Sequence, residues 1–312
     1  MALGSLQPHV TIIGAGAMGC LFAARLAEQG SLVTLVDVDE VRLAAIARDG
    51  IMLTDDGGAR PVRVAVATAA KATPPVDLLL LFTKGVHSAA AIRSVAHLAG
   101  AAPVALTLQN GIGNAELLAA SFGADRVLIG TAHVPADLSG AASVTTHGFG
   151  FVELGGFAPG GRDHAPAAAD LLQRAGFGAR VADDVNAAVW EKVAFNAALN
   201  AMAMICEVPN AGMDNEPGRR IAFRVVDEAV AVAAARDIRL DGARIRSTID
   251  AALREHAHHE ASMLQDRRHG RTTEIETING AIGREGARWG VPTPVCDTLS
   301  DLVRIIESRG PG

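Results

Sequence analysis

Short apolar runs recur through the first half of the chain. "HVTIIG", "LVTLVD", "VDLLLLFTK" and "PVALTLQN" are each flanked by small or polar residues, and alanine-rich stretches with helical spacing separate them. Runs of this kind predict strands, and their alternation with helical patterns predicts parallel strands joined by crossover helices on both faces of a sheet. "VLIGTAHVPADL", "ASVTTHGFG" and "FVELGGF" predict further strands joined by turns, so the sheet is expected to end in an antiparallel portion; "APGGRDHAP" then breaks the pattern. From about Asp184 onward strand patterns stop. Over Pro217–Ala235 the apolar positions Ile221, Val225, Val226, Ala229, Val232 and Ala233 fall at helical spacing, with Pro217 tolerated in the first turn. "EVPNAGMDNEPG" is expected as a loop between two helices, and "RRHGRTT" as an interruption of another pair. The expected organisation is an α/β domain over residues 1–183 followed by an all-α domain over 184–312.

Bulk properties narrow the function classes. A chain of 312 residues exceeds the usual size of one core, in keeping with two domains. Hydrophobic residues make up 49% and charged residues 20%, which suits a globular protein. The net charge of -6 argues against a sequence-independent nucleic-acid surface. Cys20, Cys206 and Cys296 are scattered and form no C-x-x-C pair, so neither a disulfide framework nor a zinc knuckle is expected. The opening "MALGSLQPHV" has no signal-peptide character, and no segment offers about 18 uninterrupted apolar residues. A cytoplasmic protein without a membrane partner is the expectation. Long apolar helices in the second half are compatible with a homodimer.

Chemistry first appears at "TIIGAGAMGCLFAARLAEQG", where Gly14, Gly16 and Gly19 form G-x-G-x-x-G directly after an apolar strand and before a helical pattern. That placement gives each glycine a use in a dinucleotide site: a tight turn, backbone approach to a pyrophosphate, and close packing of helix on strand. The alternative is a close-packed turn without ligand. The next strand ends in Asp37, about 20 residues beyond the glycines, where a carboxylate can accept the ribose hydroxyls. A carboxylate there repels a 2′-phosphate, and Val38 follows it, so NAD is favoured; NADP stays open because Arg42 could reach back.

Ligands of open α/β sheets lie beyond the carboxyl ends of the strands. Lys84 in "FTKG" and Asn110 in "LQNG" are therefore ligand candidates, the alternative being ordinary turn chemistry. In the helical half, "VWEKVAFNAALNAM" places Lys192, Asn196 and Asn200 at i, i+4 and i+8, along one helix face with only about 40° of drift per step. Their neighbours are apolar, and a buried lysine and amides need polar partners. A bound polar ligand would supply them; a partly exposed face with locally bonded amides is the alternative.

Together G-A-G-A-M-G, the "TK" and "QNG" strand ends, "EKVAFNAALN" and "ASMLQDRRHGRTTEIETING" resemble the ketopantoate reductase (2-dehydropantoate 2-reductase) family, in order and at compatible spacing, from about His9 to Glu307. The resemblance implies a Rossmann-type dinucleotide-binding domain followed by an all-α C-terminal domain like that of 6-phosphogluconate dehydrogenase. It implies NAD(P)H-dependent reduction of a 2-oxo acid to a 2-hydroxy acid, with ketopantoate as leading substrate. Carried over by motif, Lys192 is the catalytic lysine and Glu274 its acidic partner, whereas Glu276 is not. Asn110 lies near nicotinamide and substrate, and Asn196, Asn200 and Ser262 line the substrate site. Gly14, Ala15, Gly16, Ala17, Met18 and Gly19, with Asp37, Lys84 and Asn110, hold the cofactor.

The chain departs from the family at Asp37-Val38, because ketopantoate reductases commonly use NADP and carry a basic residue just past the second strand. An NAD-dependent D-2-hydroxyacid dehydrogenase of the same family, acting on a bulkier substrate, is the second expectation. A non-catalytic dinucleotide sensor is the third, and the set Lys192, Asn110, Ser262 and Glu274 speaks against it. Met202, Met204 and Ile205 are candidates for shaping the substrate pocket. "HAHHE" places His256 and Glu260 at i, i+4, but without further converging ligands it reads as a solvated helix face. Cys20, in the first turn of the nucleotide-side helix, reads as packing.

Overall fold

Strand character is densest where the chain is most apolar. In the computed structural model, which describes residues 7–148 and 150–310, Leu78–Leu81 forms a strand whose four leucines are all at most 1% exposed. Each such leucine contributes about 1.5–3 kcal/mol through removal from water. Val104–Thr107 and Val127–His133 are buried almost throughout as well, as strands covered on both faces must be.

These strands are central in an eight-stranded sheet. From one edge to the other its order is Gly178–Val181, Phe151–Gly156, Val127–His133, Val104–Thr107, Leu78–Leu81, His9–Ile13, Leu32–Val36 and Ala65–Ala67. All neighbours run parallel except Phe151–Gly156 against Val127–His133, so an antiparallel step does occur near one edge. The chain proceeds from His9–Ile13 to one side and later resumes on its other side at Leu78–Leu81. The strand order therefore reverses next to His9–Ile13, where a doubly wound sheet opens a crevice for a ligand.

Two expectations need correcting. The residues of "VLIGTAHVPADL" and "ASVTTHGFG" do not all continue this sheet. Asp137–Ser139 and Ser143–Thr145 instead join a second sheet of order Gly58–Val62, Ile51–Asp55, Ser143–Thr145, Asp137–Ser139. Pro135, which has no N–H to donate, follows the end of Val127–His133 and releases the chain from the first ladder. Phe149, within the expected strand, lies outside the described residues, as do the ends 1–6 and 311–312 of the two expected domains. The hairpin Ile51–Asp55/Gly58–Val62 was not expected, although its "DDGG" turn is a hairpin signal.

From Val185 the described chain is helical: Val185–Cys206, Asn210–Met213, Glu216–Ala235, Gly242–Glu255, Ser262–Arg268, Asn279–Trp289 and Pro294–Ser308. The short helix Asn210–Met213 falls inside the segment expected as loop. Val185–Cys206 is apolar around most of its circumference, and Trp190, Val193, Ala194, Ala197, Ala198 and Leu199 are buried in a core shared with Val225, Ile249, Met263, Ile282 and Val303. Contacts divide the chain into two units. One runs up to Gln109 and resumes over Asn114–Val185; the other comprises Asn110–Gly113 and the chain from Asn186 onward.

One polar device anchors the last helix. The two oxygens of Glu228, on Glu216–Ala235, accept the Val295 and Cys296 N–H groups at 2.8 Å each. These are orphan donors of the first turn of Pro294–Ser308, at the positive end of its dipole. Glu228→Ala is expected to lower unfolding free energy by about 1–3 kcal/mol, and Glu228→Gln by less, since an amide oxygen still accepts one bond. Urea denaturation of the purified variants measures both.

Candidate functional site

The strand His9–Ile13 delivers the chain to the glycine turn, and the three motif glycines answer to three different constraints. Gly14 has φ +105° and donates its N–H to Val36 O at 2.8 Å; a Cβ there would lie 2.8 Å from Phe82 C and Thr83 N. It is wedged between the ends of both neighbouring strands. At Gly19 a Cβ would lie 1.8 Å from Gly14 O, so only glycine lets the helix Ala17–Glu28 sit down on the turn. Gly16 is exposed, has an unremarkable φ of -73°, and a Cβ on it would meet no protein atom within 4 Å.

Packing therefore does not account for Gly16, whereas close approach of a ligand does. The helix it precedes has no side-chain cap, which leaves first-turn N–H groups for an anion. A dinucleotide pyrophosphate fits this cradle of Ala15, Gly16, Ala17 and Met18.

Asp37 faces the same turn. Its Oδ2 accepts the Ala15 N–H, and its Oδ1 accepts the N–H groups of Val38 at 2.8 Å and Asp39 at 2.9 Å. The carboxylate is thus preset, with acceptor capacity remaining for ribose hydroxyls. Arg42 does reach back: its Nη1 donates to Ala15 O at 3.1 Å and its Nε to Asp39 Oδ2 at 3.4 Å. Val38, 92% exposed, offers no charge. Cys20 is buried, and burial pushes its thiol up to about 12, so it is a packing group with no thiolate character at neutral pH.

The two strand ends singled out by sequence are tied together by a residue that was overlooked. Gln109 Nε2 donates to Thr83 O, to Thr83 Oγ1 at 3.3 Å and to Ser88 Oγ at 2.9 Å, while its Oε1 accepts from Thr107 Oγ1 at 2.9 Å. Its place inside "LQNG" was the available signal. Lys84 is half-buried and precedes the helix Gly85–Ser94.

The remaining candidates assemble within the helical unit. Lys192, Asn196 and Asn200 follow one another turn by turn along Val185–Cys206; the first two are half-buried and Asn200 is 6% exposed. Asn200 Nδ2 donates to Ser262 Oγ at 3.1 Å, the hydroxyl at the exposed start of Ser262–Arg268. Glu274 opens the turn that leads into Asn279–Trp289, and its Oε2 accepts the Nδ2 of Asn110 at 3.2 Å. Loss of hydration pushes Lys192 down to about 8, with the negative charge of Glu274 opposing the fall. The Glu274 carboxylate thus faces both the charge of Lys192 and the Asn110 amide, and Asn200, two turns on from Lys192, pairs with the hydroxyl that begins the helix Ser262–Arg268. Such a group can bind a carboxylate and an adjacent carbonyl and place a proton beside it.

Glu276 belongs to a different network: Arg304 reaches it at 2.7 and 2.9 Å and Arg284 at 3.2 Å, and the Arg304 bond first holds its carboxyl below the usual range. Asn279, fully buried, donates from Nδ2 to Ala197 O at 2.9 Å and pins the turn to the lysine helix; its place near the end of "TTEIETING" was the available signal. Met202 and Met204 are buried in the helical core, and Ile205 packs at its margin. "HAHHE" is not a helix face: Gly242–Glu255 ends before His256, and the carbonyls of Ala257 and His259 accept the N–H groups of Ala211 and Asn210. Among the described residues no group of three or more His, Cys, Asp or Glu could hold a metal ion, and no helix is long and apolar enough to cross a membrane.

Comparison with known proteins accounts for both halves of the chain. The family model "Ketopantoate reductase PanE/ApbA" matches residues 10–159, and "Ketopantoate reductase PanE/ApbA C terminal" matches residues 184–307. The 2-dehydropantoate 2-reductase of Halobacterium salinarum is 32% identical over 304 residues, covering 97% of this chain and all of the relative. That of Lactococcus lactis is 29% identical, covering 95% and 96%. Among solved structures, D-mandelate dehydrogenase with NADH and anilino(oxo)acetate superposes with a TM-score of 0.91 at 29% identity, over 96% of this chain and 99% of that one. A ketopantoate reductase from Ralstonia eutropha superposes with a TM-score of 0.88 at 28% identity, with the same coverage. The doubly wound sheet with its glycine turn and the helical unit with its lysine row are matched along their length, and the chain belongs to the ketopantoate reductase family, oxidoreductases acting on a CH–OH group.

Proposed function

We propose that the protein reduces a 2-oxo acid to the 2-hydroxy acid, with 2-dehydropantoate as the leading substrate and Lys192 as proton donor. The observation that carries this reading is the partly desolvated lysine beside Glu274 and Asn110 on a helix that also bears Asn196 and Asn200. Gly14, Ala15, Gly16, Ala17, Met18, Gly19 and Asp37, with Lys84 and Asn110, would hold a nicotinamide dinucleotide, which when bound supplies the hydride. The Lys192 ammonium stabilises the negative charge that develops on the carbonyl oxygen and then donates its proton there; solvent returns the proton to the amine. Glu274 orients the lysine and accepts a hydrogen bond from a substrate hydroxyl. Asn196, Asn200 and Ser262 bind the substrate carboxylate through amide N–H and hydroxyl donors.

Asp37 and the likeness to D-mandelate dehydrogenase favour a second reading on the same scaffold: an NAD-dependent D-2-hydroxyacid dehydrogenase acting on a bulkier substrate. Initial rates of NADH and, separately, NADPH oxidation with ketopantoate and with aromatic and branched 2-oxo acids decide between them. Turnover of ketopantoate supports the first reading. Its absence, beside NADH-dependent turnover of an aromatic oxo acid, replaces it with the second.

Because the proton donor must be charged, log(kcat/KM) for reduction, which follows the ligand-free enzyme, is expected to fall above about pH 8, with a slope approaching -1. Oxidation of the hydroxy acid, which needs the neutral amine as base, should rise through the same range. A reduction rate that stays level to pH 10 contradicts this role of Lys192. Lys192→Ala is expected to lower kcat by about 10²–10⁴-fold with the fold intact, as read by circular dichroism.

The glycines are expected to separate binding from folding. Gly16→Val should leave the melting temperature within a degree or so of wild type while weakening dinucleotide affinity by about tenfold or more, measured by calorimetry. Gly19→Ala should depress the melting temperature itself.

A further inference from the structure

We infer that Gly111 and Thr277 are positioning residues, whose main-chain contact seats the Asn110 amide on the Glu274 carboxylate; the inference rests on the functional reading above. Asn110 Nδ2 lies 3.2 Å from Glu274 Oε2. One bond of that length does not by itself fix where the Asn110 main chain stands relative to Glu274, since an amide side chain keeps rotamer freedom. The next two residues supply what is missing. The Ile112 N–H donates to Thr277 O at 2.9 Å, and Gly111, at φ +89°, lies so close to the same peptide that a Cβ would be 2.2 Å from Thr277 O and 2.6 Å from Thr277 C and Cβ. By contrast Gly113 also has a positive φ, of +102°, but nothing lies within 4 Å of its missing side chain. Gly113 serves the turn, whereas Gly111 serves a contact as well.

The seat and the acid belong to one turn. Thr277 N–H and Ile278 N–H both donate to Glu274 O at 3.1 Å, and Thr277 Oγ1 donates to the same oxygen at 3.2 Å. The turn is held from other sides by Asn279 on Ala197 O and by Arg304 on Glu276. Main-chain contacts on the two residues after Asn110 therefore fix its Cα relative to Glu274, and the side-chain bond needs only one remaining rotamer choice. Neither Gly111 nor Thr277 touches substrate; both act through Asn110 and Glu274.

A double-mutant cycle in the full chain tests this. Gly111→Ala is expected to lower kcat/KM by about 10- to 100-fold, mainly in kcat, because misplacement by about an ångström has that effect. In an Asn110→Ala background the same substitution should change it less than about twofold, since there is no amide left to misplace. Thr277→Ala, which adds no atom and removes one bond to Glu274 O, should show a smaller loss that also vanishes without the amide, and it carries the cycle if Gly111→Ala does not fold. Losses that add in the double variants, or a folded Gly111→Ala enzyme with wild-type kcat/KM, overturn the inference.

A second readout does not depend on turnover. The side-chain amide resonance of Asn110, assigned by its loss in Asn110→Ala, should be dispersed in wild type and move toward the free-amide position in Thr277→Ala and Gly111→Ala. An unmoved resonance in the folded variants overturns the seat. A wild-type chain that reduces none of the oxo acids, while the resonance moves, refutes the function and leaves the seat standing.

Discussion

A lysine on an otherwise apolar helix must find compensation for the water its ammonium loses, and the second unit is arranged around that requirement. Val185–Cys206 buries much of its circumference, and the row Lys192, Asn196, Asn200 lies along one of its faces, while Glu191 pairs with Arg244. Two members of the row are met from later elements: Lys192 by Glu274, in a turn after Ser262–Arg268, and Asn200 by Ser262, which begins that helix. The turn cannot be a continuation of helix, because it must present the carboxylate, lend Thr277 O to Ile112 and send Asn279 back onto Ala197 O. Core packing and site geometry are thus set by the same few residues.

The same physical cause acts in opposite chemical senses across the molecule. Burial favours whichever protonation state is neutral. For Lys192 that means an ammonium pushed down to about 8, the range that the proposed role as proton donor needs. For Cys20 and Cys296 it means thiols pushed up and chemically quiet, although each lies at the start of a helix, a position that by itself would favour the thiolate. Electrostatic opposition is modest in the first case, where Glu274 resists the shift, and reinforcing at Cys296, where Glu228 adds to it.

What could be read from the chain divides along range of interaction. The parallel sheet, the glycine turn and the helical second half are local patterns, and the spacing of Lys192, Asn196 and Asn200 places them on one face because helical geometry is fixed. The family resemblance rested on such stretches. The departure of Asp137–Ser139 and Ser143–Thr145 into a second sheet was not legible, since a strand's partner is chosen by distant residues rather than by its own alternation. Gln109, Asn279 and Thr277 escaped for a related reason: an amide or a threonine carries no sign of whether its bond is to a neighbour or to a distant carbonyl.

The helical unit is not a contiguous piece of chain, because Asn110–Gly113 is built into it from the middle of the sheet-forming half. That has a consequence for how such proteins can be recombined. A chimera joined at Val185 and Asn186 would inherit Lys192, Ser262, Glu274 and Thr277 from one parent and Asn110 and Gly111 from the other. Packing of the Glu274 turn would then depend on a tetrapeptide that a conventional domain exchange leaves behind. As a packing unit, the helical half is the discontinuous one.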